Sequence, residues 1–156
     1  MAPRSLSLAE RKIIQRHTDR LLGALVQEGL LNHLTYQALK DITEDLEFTH
    51  DWVALVFRTA GEPINKMRNI LSERSAVIDQ NMMAIYLSHI KEPSDCIGTI
   101  KVSRACQEIR AAYLANDKER CLTCIRELER ELLYVKPRLQ ELMTFERDIS
   151  AAGGRI

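Results

Sequence analysis

The sequence predicts an all-α protein, a compact bundle of about six to eight helices. Three observations carry this reading. Apolar residues recur at three- and four-residue spacing along most of the chain. Residues that cap helix ends stand at the breaks between those runs. No pair of alternating runs joined by a tight-turn dipeptide appears, so nothing signals a hairpin. At 156 residues the chain can bury roughly 70% of its unfolded surface in one core. A single helical domain over residues 6–149 is the expectation.

Residues 1–5 read as a short loose arm. Ser7 and Glu10 have capping-box spacing, which satisfies two free amides at the start of a helix over about 8–27. Ile14, Leu21, Leu22, Leu25 and Val26 form its apolar face, Gly23 marks a kink or a close approach, and Gly29 caps its end. A second helix over about 34–46 buries Ala38, Leu39, Ile42 and Leu46, joined by Tyr36. The third, about 50–60, opens on the capping run Thr49-His50-Asp51, plants Trp52 in the core and closes at Gly61-Glu62-Pro63. Pro63 suits the first turn of a helix over about 63–72 that carries Ile64, Met67, Ile70 and Leu71.

Ser72 or Ser75 would cap the next helix, about 75–91, with Ile78, Met82, Ile85, Leu87 and Ile90 inside. Glu92-Pro93-Ser94-Asp95 reads as a break. A helix over about 96–115 follows, carrying Ile97, Ile100, Ala105, Ile109, Ala112 and Tyr113, its first turns weakened by Gly98 and the β-branched residues after it. The last helix starts near 118, displays Cys121, Leu122, Ile125, Leu128, Leu132 and Val135, and is kinked or ended by Pro137. Helical spacing resumes to Ile149, and residues 151–154 read as a frayed tail.

Basic and acidic residues balance at 22 each, which argues against nucleic-acid or anionic-membrane binding through bulk charge. No apolar stretch is long enough to span a bilayer, and the charged start is unlike a signal peptide. Four cysteines without a secretion signal point to reduced thiols and a cytoplasmic setting, with the nucleus equally open.

Chemistry-bearing motifs are few. Cys121 and Cys124 form a C-x-x-C, but inside a helical pattern, where packing as small apolar groups is the expected role. His17, His33, His50 and His89 are scattered, with His50 beside Asp51 read as a cap. There is no nucleophile elbow and no glycine-rich phosphate loop. No catalytic residue, cofactor or metal site is expected, and the protein reads as a non-enzyme. Arg126 to Glu131 form a charged helix face in which Glu127 can pair with Arg130. Met67, Met82 and Met83 read as core filling.

The stretch around the single Trp resembles the death domain of the death-fold superfamily. The residues that carry the likeness are Asp51-Trp52, Leu55, Val56, Gly61 and Ile64. Leu39, Ile42 and Leu46 lie upstream, and Gln80, Met83, Ala84, Ile85 and Leu87 downstream. Leu21 to Leu25, Gly29-Leu30-Leu31, Tyr36 and Ile42 are similar to the start of a caspase-recruitment domain. The resemblance implies a Greek-key six-helix core over 34–125, an extra N-terminal helix over 7–28 and a C-terminal helical extension over 126–149. It implies a non-enzymatic adaptor or regulator of apoptotic or innate immune signalling that assembles by homotypic contacts, through protein partners or self-association. Asp51, Arg58, Glu62, Lys66 and Arg68 would be its partner-binding residues. The alternative expectation is a viral or regulatory helical protein that homodimerises through its C-terminal helices.

Overall fold

Seven helical segments make up the computed structural model, which describes residues 6–153. They are α1 (Leu8–Gln27), α2 (His33–Thr43), α3 (Leu46–Thr59), α4 (Gly61–Leu71), α5 (Gln80–Ile97), α6 (Ile100–Leu114) and α7 (Lys118–Ala151). The expected arm at 1–5 and Gly154 of the tail lie outside the described residues. Among the described residues the only β-type pairing is an isolated antiparallel bridge between Leu31 and Thr99, so the all-α expectation holds.

Helices α4, α5, α6 and α7 form a closed ring of neighbours, because α7 packs on both α6 and α4. Outside this ring α1 lies along α7, while α2 and α3 cover α5 and α7. Met67, Met83, Leu87, Ile90, Ile109, Ile125, Leu128 and Leu139 fill the interior, each at most 3% exposed. Burying side chains of this size contributes roughly 1.5–3 kcal/mol apiece before the entropy of ordering is subtracted.

Several ends differ from the sequence expectations, each for a local reason. Helix α3 starts at Leu46, where the Asp45 carboxylate accepts from the Phe48 amide at 3.0 Å. Thr49 and His50 are therefore not caps but buried side chains in its first turns. Pro63 lacks an N–H and crowds the carbonyl of Thr59, which accounts for the break between α3 and α4. Ser75 caps nothing; Asp79 caps α5 through the Met82 amide at 3.1 Å. The loop before it is held by Asn116, whose side chain bonds the Ile78 amide and the Ala76 carbonyl, each at 2.8 Å.

The expected break at residues 92–95 is absent. Helix α5 runs through Pro93 and ends at Gly98, which has φ +92°. Leu87, Ile90, Ser94 and Ile97 continue one buried stripe across the proline, and packing on both sides of Pro93 outweighs one missing hydrogen bond. Helix α7 likewise passes through Pro137. Gly98 is needed twice over. Its φ disfavours any side chain, and a Cβ there would lie 2.9 Å from the Asn32 carbonyl oxygen. That closeness lets the α1–α2 turn and the α5–α6 turn join by main-chain bonds, Asn32 N–H to Gly98 O at 2.8 Å and Ile100 N–H to Leu30 O at 3.2 Å.

Expected core positions also moved. Ile42 is 80% exposed, Ile85 49% and Leu55 41%. Trp52 is only half-buried, packed against the edge of the core rather than anchoring it.

Candidate functional site: the exposed face of helix α5

Two groups of polar side chains stand out, and they use the same residue types. The first is buried. Glu146 of α7 is 2% exposed and takes bonds from three sides. The Tyr36 hydroxyl of α2 donates to Oε1, Lys40 Nζ of α2 bonds Oε2 at 2.5 Å, and His50 Nε2 of α3 lies 3.1 Å from Oε1. Burial alone would raise the Glu146 carboxyl, but the bonds from His50, Lys40 and Tyr36 outweigh it and hold the group below the ordinary carboxylate range. Burial first, then the Glu146 charge and hydrogen bond, push the Tyr36 phenol upward. With every oxygen of the carboxylate occupied, this group fastens α2, α3 and α7 together and leaves no room for a substrate.

The second group is open. Tyr86 and His89 of α5 face Glu62, Pro63 and Lys66 of α4 and Thr59 of α3 across a cleft of about 380 Å³. The Tyr86 and His89 rings meet edge-on at 6.5 Å. Around α5, at about 100° per residue, the exposed residues form one arc: Ala84, Asp95, Asn81, Glu92, Ile85, Cys96 and His89, with half-buried Ser88 inside it. Asn81, Ser88 and Glu92 lie near the middle of this arc and His89 at its edge on the α4 side. The Ser88 hydroxyl donates to the Ile85 carbonyl at 2.6 Å, and Lys91 pairs with Asp95 at 2.7 Å.

The other histidines lie elsewhere. His17 of α1 stacks on Phe145 at 6.2 Å, His33 begins α2 in the open, and His50 is consumed by Glu146.

The sequence-selected partner residues are divided between α3 and α4. Asp51 and Arg58 are exposed on α3. Glu62 and Lys66 line the α4 side of the His89 cleft. Arg68 reaches Glu129 of α7 with both guanidinium nitrogens, Nη1 at 3.0 Å, and holds that carboxyl below its ordinary range. Glu127 pairs with Arg130 at 2.7 Å, as the charge spacing suggested. Cys121 is buried, and burial pushes its thiol up to about 11, with Cys124 raised in the same way. Thiols raised so far are poor nucleophiles at neutral pH, in keeping with packing.

Sequence reasoning missed the buried group and caught only Glu62 and Lys66 of the open one. Taking Pro93 as a stop cut α5 short and hid the face on which Ser88, His89 and Glu92 sit together. The available signal was the stripe Leu87, Ile90, Ser94, Ile97, which keeps helical spacing straight through the proline. Nothing in the sequence linked His50 to Glu146, because His50 read as part of a capping run and the contact is made only when α3 packs on α7.

The fold has counterparts among solved structures. A rice histidine-containing phosphotransfer protein superimposes with a TM-score of 0.76 over 90% of this chain and 98% of its own, at 19% identity. One from Medicago truncatula gives 0.74 over 91% and 96%, at 21% identity. The fold is that of the histidine-containing phosphotransfer proteins. Sequence comparison agrees along nearly the whole length. The chain is 26% identical over 145 residues to histidine-containing phosphotransfer protein 5 of Arabidopsis thaliana, covering 92% of this chain and 91% of that one. It is 28% identical over 149 residues to protein 1 of the same plant, covering 94% and 92%. It is also 28% identical over 145 residues to the plant's pseudo histidine-containing phosphotransfer protein 6, covering 91% and 93%. No family model matches the chain.

These findings overturn the death-fold resemblance. Asp51-Trp52, Leu55 and Val56 reproduce the spacing of one amphipathic helix, and that spacing is common to helical bundles of many topologies. The adaptor role in apoptotic or innate immune signalling falls with it, as does the alternative of a homodimer built on the C-terminal helices. Most of α7 is not available for that purpose. Its residues Cys121, Ile125, Leu128, Val135, Leu139 and Leu142 are buried within the chain's own bundle. Among the described residues no helix is long and apolar enough to cross a membrane.

Proposed function

We propose that this chain is a phosphotransfer-type component of a phosphorelay, which binds the proteins that hand on a phosphoryl group. The observation that supports this reading best is the end-to-end likeness: more than nine-tenths of the chain corresponds to more than nine-tenths of each phosphotransfer relative, in sequence. Transfer needs a donor and an acceptor, so its partners would be a histidine kinase on one side and a response regulator on the other. It would act by stoichiometric association and not as an enzyme, and its place would be wherever those partners meet, in the cytoplasm or the nucleus.

The exposed face of α5 is the docking surface in this reading. It combines an exposed apolar residue, Ile85, with the polar line Asn81, Ser88 and Glu92. Glu62 and Lys66 border it across the cleft, which keeps two of the sequence-selected residues as contact candidates. Interfaces concentrate their energy in a few apolar anchors near the centre, and Ile85 is placed to be one. Titration of a response-regulator receiver domain into the protein, followed by calorimetry, tests this. Ile85→Asp should weaken the association by at least about tenfold, a loss typical of an interface anchor, while leaving helicity unchanged. Undiminished binding would move the docking surface away from α5, and no binding by the unaltered chain to receiver or kinase would remove the reading.

A further inference from the structure

Resting on that phosphorelay reading, we infer that the α5 face engages a phosphoryl-bearing partner without accepting the phosphoryl group, so that the chain competes with true carriers. To carry phosphate, a histidine must offer a ring nitrogen in line with the phosphorus of the donor. It must also stand where both donor and acceptor sites can close over it.

None of the described histidines meets both conditions. His50 is 2% exposed with Nε2 on Glu146, and its Nδ1, though unpartnered, is sealed from solvent. His17 and His33 belong to α1 and α2 and so are not part of the exposed arc of α5. His89 is on α5 but at the margin of the exposed arc, about 100° round from Ser88, with its ring in the cleft walled by Pro63 and Tyr86.

The centre of the face is occupied by groups unsuited to receiving a phosphoryl dianion. Ser88 stands with Asn81 and Glu92 near the middle of the arc, where a histidine would be open to both donor and acceptor. Glu92, one turn further, is its neighbour on the helix surface, since side chains four residues apart lie about 5–6 Å apart at Cβ. Glu62 sets a second carboxylate in the His89 cleft, with Lys66 as the cation beside it and away from the arc's middle. The nearest cation on α5, Lys91, is already paired with Asp95. Like charges at these separations repel the incoming group, whereas a protein partner that keeps its phosphate on its own residue can still pack on Ile85 and the polar residues beside it.

The test uses the full chain, phosphoramidate as a chemical donor, and a receiver domain as partner. With phosphoramidate, an imidazole nitrogen forms the new P–N bond as the reagent's P–N bond breaks and ammonia leaves with a proton. The expected results are receiver binding by the unaltered protein, no acid-labile phosphate on it, and slower transfer from a competent carrier to that receiver. The slowing should be about tenfold when the free chain stands at ten times its Kd, by simple mass action. Ser88→His should gain acid-labile label, and Ser88→His with Glu92→Gln should label faster still, with circular dichroism confirming that both retain their helices. Label on the unaltered protein that disappears in His89→Gln would overturn the inference and leave the phosphorelay reading standing. Receiver binding by a folded Ser88→His that takes no label would overturn the central placement of Ser88. Absence of receiver and kinase binding would overturn the phosphorelay reading itself, and the inference with it.

Discussion

Two clusters in this molecule are built from the same four residue types and behave oppositely. Tyr36, Lys40, His50 and Glu146 meet in the interior, and Tyr86, Lys66, His89 and Glu62 line an open cleft. In the interior each polar group is removed from water, so the carboxylate has to be matched by donors or its charge would be prohibitive. In the cleft water can solvate each group singly, no such matching is required, and the side chains remain available to an incoming partner. The residue types do not decide whether a cluster is structural or functional. Desolvation does.

The largest expected effect separates the two carboxylates. Glu146→Ala should lower stability by about 3–5 kcal/mol, because it strands a buried ammonium, imidazole and phenol. Glu62→Ala should change stability by no more than about 0.5 kcal/mol, as surface substitutions do. Urea unfolding of both variants measures the gap, and equal losses would erase the distinction between the clusters.

A smaller contrast is expected for the phenols. Tyr36→Phe removes one donor from a buried carboxylate and should cost about 1–3 kcal/mol, measured in the same way. Tyr86→Phe should stay within about 0.5 kcal/mol.

The mildest test is pH. Glu146 has its folded-state pKa depressed below the ordinary 4.5. Its contribution is therefore complete above the unfolded value and is lost as pH falls through the folded one. Glu146→Gln should lower stability at neutral pH and flatten the fall in stability below about pH 4.5, the ordinary carboxylate value. Thermal melts at a series of pH values would show whether the acid sensitivity belongs to the interior cluster.

How much of this was legible in the sequence depends on which residues are asked. The helical class, the Ser7 cap, the Gly29 cap, the buried Met67 and the packed Cys121 all follow from local spacing and chemistry, and local rules suffice for them. Ile42 and Ile85 have the right spacing for a core and are nonetheless exposed. Periodicity identifies a face of a helix but not which neighbour, if any, covers it. Pro93 shows the reverse failure. A strong local breaker is carried inside α5 because buried residues on both sides hold the helix together. Glu146 was least visible of all, an acid in a polar C-terminal run whose partners stand about a hundred residues earlier in the chain. The α5 face could be read in full only once the helix was known to continue past Pro93, which sets Glu92 one turn from Ser88.

The joint between the two turns has a consequence for divergence. The bonds from Asn32 to Gly98 and from Ile100 to Leu30 use main-chain atoms at both ends, and substitution does not delete a backbone amide or carbonyl unless it introduces proline. Side chains on α2 and around the turns can therefore change without removing the backbone connection that places α2 over α5, whereas Gly98 cannot gain a side chain without strain. Lineages can rewrite the surface that partners read and leave the frame beneath it alone.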